Sequence, residues 1–328
     1  MRILVVGGRR FVGRHIVEAA LEAEHDVTLL HRGTGDDDLF PEAEHLHVDR
    51  DGDLSVLERR EFDATIDTSA YLPAQVRSLA AALGGRGGRY LVISSTSVYA
   101  EPAGPSFDES SPTVPPTADD VDTVTNETYG PLKVSIELLA RETFGRHATV
   151  VRPTYVIGPW DYTRRFTSWV QRIAAGGEVL GPGDPADPIQ VIDGRDLGSF
   201  CLRLMEDDVA GTFHAVSPEP PYSFGDMLAD IAAVVAPAGT TITWVDQDWL
   251  LAQGESDGTI PLWGGGDPWI GANAASPRAA REAGLPVRPV QQSVAELVEH
   301  LLLEPPEGYG PGMTREREAE LLAAWHAR

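Results

Sequence analysis

The strongest constraint on this chain lies in its first thirteen residues. Arg2–Val6 is a short apolar run of strand type, it breaks into Gly7-Gly8, and a helical pattern begins at Phe11 and continues to about Ala23. A strand that turns through glycines straight into a helix opens a parallel unit, because a parallel neighbour can be reached only by a crossover. The rhythm then repeats. Val27–Leu30, Leu46–Val48, Ala64–Asp67, Tyr90–Ser94 and Thr149–Arg152 read as further strands, with helices at Gln75–Leu83 and Lys133–Phe144. Strict succession of strand and helix predicts a parallel sheet covered by helices on both faces.

The expected class is therefore α/β: a Rossmann-type doubly wound parallel sheet with a smaller, mostly C-terminal α/β substrate lobe. After Pro153 the pattern becomes irregular and rich in Pro and Gly, as at Gly181-Pro182-Gly183-Asp184-Pro185. A strand at Ile189–Ile192 and a helix at Arg195–Met205 interrupt it. Residues 1–153 with 188–215 are expected to form the nucleotide-binding domain, and 154–187 with 216–328 the lobe. Residues 101–128 are too long and polar for an ordinary strand–helix loop, which leaves a flexible surface insertion or a flap near the site. The Arg315–Trp325 helix reads as a structural clasp.

Bulk properties narrow the partners. A chain of 328 residues with no apolar run of membrane length is expected to be free of membrane spans, and the N-terminus lacks a signal peptide's apolar core. Cys201 is the single cysteine, so no intramolecular disulfide forms, which fits a cytoplasmic location. The net charge of −24 repels phosphodiester backbones, so nucleic acid is not an expected partner.

The turn Gly7-Gly8-Arg9-Arg10-Phe11-Val12-Gly13 suits a pyrophosphate, whose charge meets exposed N–H groups and the positive end of the following helix. Gly7 and Gly13 take the outer positions of a Gly-x-x-Gly-x-x-Gly spacing, while Arg10 takes the middle one. Arg10 either clashes with the pyrophosphate or swings out. At the end of the second strand, an acid would accept from an adenosine ribose and indicate NAD. His31-Arg32 stand there instead. A guanidinium matches a 2′-phosphate, so Arg32 with Arg9 or Arg10 favours NADP, with NAD as the alternative because Asp36-Asp37-Asp38 follow. Asp49, ending the third strand, is placed to accept from an adenine amino group.

Ser95 follows the fifth strand, beyond a carboxyl end where open α/β sheets bind ligands. Tyr129 and Lys133 follow, four apart and so one turn apart on one helix face. There an ammonium can stabilise a phenolate and bring the tyrosine toward working pH. Such a phenol exchanges a proton with a carbonyl or alcohol as hydride moves, while Ser95 holds the substrate oxygen. Pro131 lacks an N–H, so the helix is expected to start near Thr128 or to kink. His45 and His47 have no Cys or carboxylate partners at metal spacing, and no metal site is expected.

Gly7–Gly13, Ser94–Tyr99, Tyr129-Gly130-Pro131-Leu132-Lys133 and Arg152-Pro153 together resemble the extended short-chain dehydrogenase/reductase superfamily, specifically its NAD-dependent epimerase/dehydratase family. The likeness covers nearly the whole chain, weakly after about residue 216. It implies Ser95, Tyr129 and Lys133 as catalytic residues, with Lys133 also gripping the nicotinamide ribose. It implies Gly7, Arg9, Arg10, Phe11, Val12, Gly13, His31, Arg32, Asp49, Arg50, Thr68, Ser69, Ala70 and Pro153 around the cofactor, and Thr96, Tyr155, Arg165 and Gln190 toward substrate. It also implies a homodimer. Thr96-Ser97 replace the Asp-Glu pair of sugar-nucleotide 4,6-dehydratases, so that elimination is not expected. The Gly-Gly-x-Arg-Phe-Val-Gly form is similar to a branch of isoflavone-reductase-like proteins and plant chloroplast stem-loop RNA-binding proteins.

The implied activity is hydride transfer on a small polar metabolite by an NAD(P)-dependent enzyme. The alternatives are a nucleotide-sugar epimerase that recycles its cofactor and a non-catalytic, RNA-binding protein on the same fold. Asp161, Arg164, Arg165, Gln190 and Arg195 are expected where the lobe faces the cofactor. Trp263 and Trp269 are read either as a mobile aromatic cover or as packing residues.

Overall fold

The computed structural model describes the whole chain except residues 34–38, 101–106, 119–120, 266–272, 306–307 and 309. The described strands are β1 (Arg2–Val6), β2 (Asp26–His31), β3 (Glu44–His47), β4 (Ala64–Asp67), β5 (Arg89–Ile93), β6 (Ala148–Pro153), β7 (Tyr155–Ile157), β8 (Glu178–Pro182), β9 (Val191–Asp193), β10 (Gly211–Ala215) and β11 (Thr241–Val245). The α-helices are α1 (Phe11–Glu22), α2 (Pro73–Leu83), α3 (Asn126–Phe144), α4 (Arg165–Ala174), α5 (Gly194–Glu206), α6 (Phe224–Val235), α7 (Gln247–Ala252), α8 (Arg278–Glu282), α9 (Val290–Leu303) and α10 (Arg315–His326).

Seven strands form one parallel sheet in the order β10-β6-β5-β4-β1-β2-β3. The expected Rossmann-type architecture is present. β1 lies inside it, between β4 and β2, and its continuous apolar run is explained by burial on both faces. Ile3 and Val5 pack toward α1 and α5 with Ile16, Val17 and Phe200, while Leu4 and Val6 pack toward α2 and α3 with Leu79, Leu83, Ile136 and Ala140. Each such side chain contributes about 1.5–3 kcal/mol by leaving water.

A third core fills the lobe, where Phe166, Trp169, Phe224, Trp263, Val294 and Leu322 meet around the β8–β11 and β7–β9 pairs. Helix α10 is tied down there: Glu318 accepts from the Leu180 N–H at 2.9 Å and pairs with Arg172. Trp263 is 2% exposed, so it is a packing residue and not a mobile cover. Trp269 lies outside the described residues.

Two expectations need correction. Helix α3 begins at Asn126, earlier than Thr128, because Thr125 caps it and exchanges hydrogen bonds with Thr128 at 3.2 and 2.8 Å. Pro131 sits inside the helix rather than in its first turn. The long connection after β5 is pinned in its described part. Phe107 is buried and bridges Ala275, Thr113 bridges Tyr99, and the Thr117 N–H donates to Ser135 Oγ at 3.0 Å.

Candidate active site

The strand order reverses between β1 and β4, and a cleft of about 540 Å³ opens at their carboxyl ends. Its lining runs from the β1–α1 turn through His31, Arg32, Asp49 and Arg50 to Ser95, Tyr129, Lys133, Pro153 and Arg165.

The turn is built on close approach. Gly7 and Gly8 have φ of 104° and 79°, and a Cβ on Gly7 would stand 2.3 Å from Thr68 Oγ1. A Cβ on Gly13 would stand 2.7 Å from the Gly8 nitrogen. These glycines let the N-terminus of α1 come close to the turn and leave the backbone bare toward the cleft, the fit a dinucleotide pyrophosphate requires. Arg10 has φ −133°, extended backbone open to any residue, so the middle position has no need of glycine. Its guanidinium swings out to 5.3 Å from the centre of the Tyr162 ring.

At the ribose end, His31 Nδ1 accepts from the Gly33 N–H at 3.1 Å and lies 3.5 Å from an Arg9 nitrogen. His31 Nε2 lies 2.9 Å from His45 Nδ1. This grouping of His31 with His45 and His47 is absent from a strand-by-strand reading. Arg32 and Asp49 are exposed. Arg50 is buried and grips Asp67 with two bonds of 2.6 and 2.9 Å, and Ser69 Oγ with one of 2.9 Å. Its guanidinium therefore closes the floor of the cleft, and Asp67, which the sequence did not single out, is its partner.

Around Ser95 and Tyr129, Gly130 decides the geometry. A Cβ there would stand 2.3 Å from the Ser97 carbonyl oxygen, so only glycine lets α3 press against the Ser95–Ser97 turn. That approach sets Tyr129 beside Ser95 in the lining of the cleft. Lys133, one turn on, is buried and donates to the main-chain oxygens of Ala70 at 2.8 Å and Ile93 at 3.0 Å. Burial lowers its pKa to about 8, partly offset by Asp67. Burial and the neighbouring Tyr71 push Tyr129 up to about 12, against the Ser95 hydrogen bond. The expected acidification of Tyr129 by Lys133 is not found, because the ammonium serves the two carbonyls.

Behind these groups lies a buried network. Glu137 accepts from Ser94 Oγ at 2.6 Å and from Arg152 at 2.6 and 2.9 Å, and Arg152 donates to the Tyr99 hydroxyl at 2.5 Å. Tyr99 in turn contacts His214. This network holds α3, β5 and β6 together one residue behind Ser95 and Pro153.

Of the expected site residues, Gly7, Arg9, Arg10, Phe11, Val12, Gly13, His31, Arg32, Asp49, Arg50, Thr68, Ser69, Ser95, Tyr129, Lys133, Pro153 and Arg165 line the cleft. Ala70, Thr96, Tyr155 and Gln190 do not. Ala70 acts through its carbonyl, Thr96 is buried, and Tyr155 stacks under Arg165 at 4.9 Å. Gln190 is fully buried and exchanges hydrogen bonds with the Ala275 backbone at 2.9 and 2.8 Å. Arg195 pairs with Asp193 and Glu296, so it ties α5 to α9 and does not line the cleft. Asp161 is buried and accepts from Thr163. Tyr71 and Tyr162, which the sequence reading left out as cleft residues, line it.

The NAD dependent epimerase/dehydratase family matches this sequence over residues 58–216. The family is one of NAD-dependent enzymes, and the matched stretch holds Ser95, Tyr129 and Lys133, while the glycine turn lies before it.

A chloroplast stem-loop binding protein of 41 kDa b from Arabidopsis thaliana is 25% identical over 225 residues, 64% of this chain and 56% of that protein. The chain thus spans about half the length of that relative. Among solved structures, the UDP-N-acetylglucosamine 4-epimerase of Methanobrevibacter ruminantium M1 superposes with a TM-score of 0.68 at 17% identity, over 92% of this chain and 98% of that one. The UDP-glucuronic acid 4-epimerase of Bacillus cereus, solved with NAD, gives 0.65 at 16% identity over 92% and 99%. A human epimerase family protein solved with NADPH gives 0.63 at 18% identity over 91% and 99%. These similarities establish the fold of this chain. Among the described residues, no helix is long and apolar enough to cross a membrane.

Proposed function

We propose that this chain is an NADP-linked oxidoreductase that transfers hydride at a carbonyl or alcohol of a small polar metabolite. Tyr129 is its acid/base group, Ser95 holds the substrate oxygen, and Lys133 anchors the nicotinamide ribose. The observation that carries the reading is the gathering of Ser95, Tyr129 and Lys133 in one cleft at the carboxyl ends of the strands, with Lys133 locked onto the carbonyls of Ala70 and Ile93.

A bound nicotinamide dinucleotide supplies or accepts the hydride, which no side chain can do. The chain's own part is protonic and positional. With its pKa near 12, Tyr129 keeps its proton at neutral pH and stands ready as an acid toward a developing alkoxide. Ser95, half-buried at the mouth of the cleft, directs the substrate oxygen to that phenol. Arg9 and Arg32 line the ribose end, and His31 stands where an acid would select NAD; together these support NADP.

The test is calorimetric titration of the purified chain with NADPH and NADH, together with turnover on a panel of carbonyl substrates. Dinucleotide binding with turnover lost in Tyr129→Phe supports the reading. No binding of either dinucleotide overturns it.

The epimerase alternative is favoured by the nucleotide-sugar epimerases among the solved structures of this fold. It uses the same tyrosine but keeps its cofactor through each turnover. Dinucleotide that survives purification and resists exchange with added NADPH would favour it. The stem-loop binding relative raises an RNA-binding reading, which the net charge of −24 opposes.

A further inference from the structure

We propose that His31, His45 and His47 form a binding site for one divalent transition-metal ion of the zinc class. Strand β3 is the edge of the main sheet and runs parallel to β2, with His31 in register with His47. Register partners in parallel strands share a face, and His45, two residues before His47, shares it too. Three imidazoles are thereby gathered at one sheet edge, with a ligand nitrogen of each lying within 4.8 Å of the others. Nitrogens around one tetrahedral zinc, with Zn–N of roughly 2.0–2.1 Å, stand about 3.4 Å apart. His31 Nε2 and His45 Nδ1 are already at 2.9 Å, so side-chain rotation of His47 is the main adjustment.

The donor chemistry fits. Imidazole nitrogen suits zinc, copper and nickel. His45 Nε2 lies 3.0 Å from the Phe40 carbonyl oxygen and donates to it, which fixes the tautomer and aims the bare Nδ1 at the cluster. A backbone carbonyl behind a ligating histidine is the usual outer partner of a metal site. Because the Gly33 N–H donates to His31 Nδ1, the proton between His31 and His45 resides on His31 Nε2. The ion takes that proton's place, and the proton shifts to His31 Nδ1, with the Gly33 hydrogen bond given up and no net proton released. Arg9, 3.5 Å from His31 Nδ1, opposes the cation, while the net charge of −24 attracts it. His31 is buried, His45 half-buried and His47 exposed, which leaves an entry path and an open position for water on the solvent side.

The test uses tag-free full-length protein without dinucleotide or substrate, so its outcome is independent of the proposed oxidoreductase activity. Zn²⁺ is titrated by calorimetry, and Co²⁺ binding is followed by visible absorption. The expected result is one ion per chain, with affinity at least tenfold weaker in His47→Ala and in His45→Ala. The metal-free unfolding temperature of the exposed His47→Ala variant should match the parent. Zn²⁺ should raise the unfolding temperature of the parent and not of the variants. Absence of saturable binding, or binding retained in full by both variants, overturns the proposal.

Discussion

The Lys133 ammonium lies 5.8 Å from the centre of the Tyr129 ring and spends its hydrogen bonds on the carbonyls of Ala70 and Ile93. It is nearer to Tyr71, 4.7 Å from that ring centre. Lys133 thus ties α3 to the ends of β4 and β5, and Tyr129, its pKa pushed up by burial, is left as a protonated phenol in the same cleft as Ser95. In the proposed function the lysine is a clamp and the tyrosine an acid, with no preformed phenolate.

Removing the phenolic oxygen tests that acid. Tyr129→Phe should lower kcat/KM for carbonyl reduction by about 10²–10⁴-fold. Dinucleotide affinity and unfolding temperature should stay near those of the parent, since Tyr129 is itself only half-buried. Retained turnover would remove Tyr129 from the chemistry.

The pH profile follows from Lys133. Its pKa is lowered to about 8, so the charged form is lost as pH rises through that value. In the reductive direction, kcat/KM should be level between pH 6 and 7.5 and fall about tenfold per unit well above 8, reporting the free enzyme. Tyr129, near 12, stays protonated throughout. The same shift bears on stability. Between the folded and unfolded pKa values the unfolded chain binds more protons, so this lysine's penalty on the fold, full below about pH 8, lifts as pH rises. Thermal unfolding of the parent and Lys133→Met across pH 7–10 should show that difference.

Gly130 is expected to tolerate no side chain. In Gly130→Ala the Cβ meets the Ser97 carbonyl, so α3 must retreat from the Ser95 turn. A loss of about 1–3 kcal/mol in stability is expected from the overpacking. The residual activity should show a lower kcat with a smaller change in KM, as the phenol and Ser95 move apart. Denaturant melts with steady-state kinetics check both.

Glu137 and Arg152 are 2% and 3% exposed, and their ion pair has little solvent to fall back on. Glu137→Ala leaves the guanidinium buried without its carboxylate and should cost about 3–5 kcal/mol. Urea denaturation measures it. A cost below about 1 kcal/mol would show that water reaches Arg152.

Cofactor choice is expected to rest on the ribose end. Arg32→Ala should weaken NADPH by roughly tenfold or more, the worth of a charged hydrogen bond of about 1.5–3 kcal/mol, and leave NADH nearly unchanged. Fluorescence titration at fixed ionic strength separates the two. Equal loss for both dinucleotides would place Arg32 outside the 2′-phosphate pocket.

Much of this was legible in the chain. The apolar runs of β1 to β6 and the glycines that interrupt them announce the parallel sheet, because burial on both faces and close backbone approach each demand particular residue types. Gly7 and Gly13 were readable for that reason, and so was the pairing of Tyr129 with Lys133 on one helix face. Local pattern misplaced the start of α3, since the Thr125–Thr128 cap outweighed the preference of Pro131 for a first turn. It also set Gln190 and Arg195 at the cleft, where the structure buries one and pairs the other with Asp193 and Glu296. Ala275 and Glu296, the partners that decide this, lie far off in sequence, and no local periodicity could have said so.

The sequence by itself determined the strand–helix alternation, the bare glycine turn and the tyrosine–lysine spacing, because these depend on the properties of single residues and on fixed helical and strand periods. Only the tertiary structure decided what the charged groups do. Lys133 turned to two carbonyls, Arg50 to Asp67, and His31 to the histidines of a neighbouring strand, since partners brought together by folding lie 14 to 63 residues apart along the chain. Electrostatic roles are set by distance in space and by burial, and neither is written in local order.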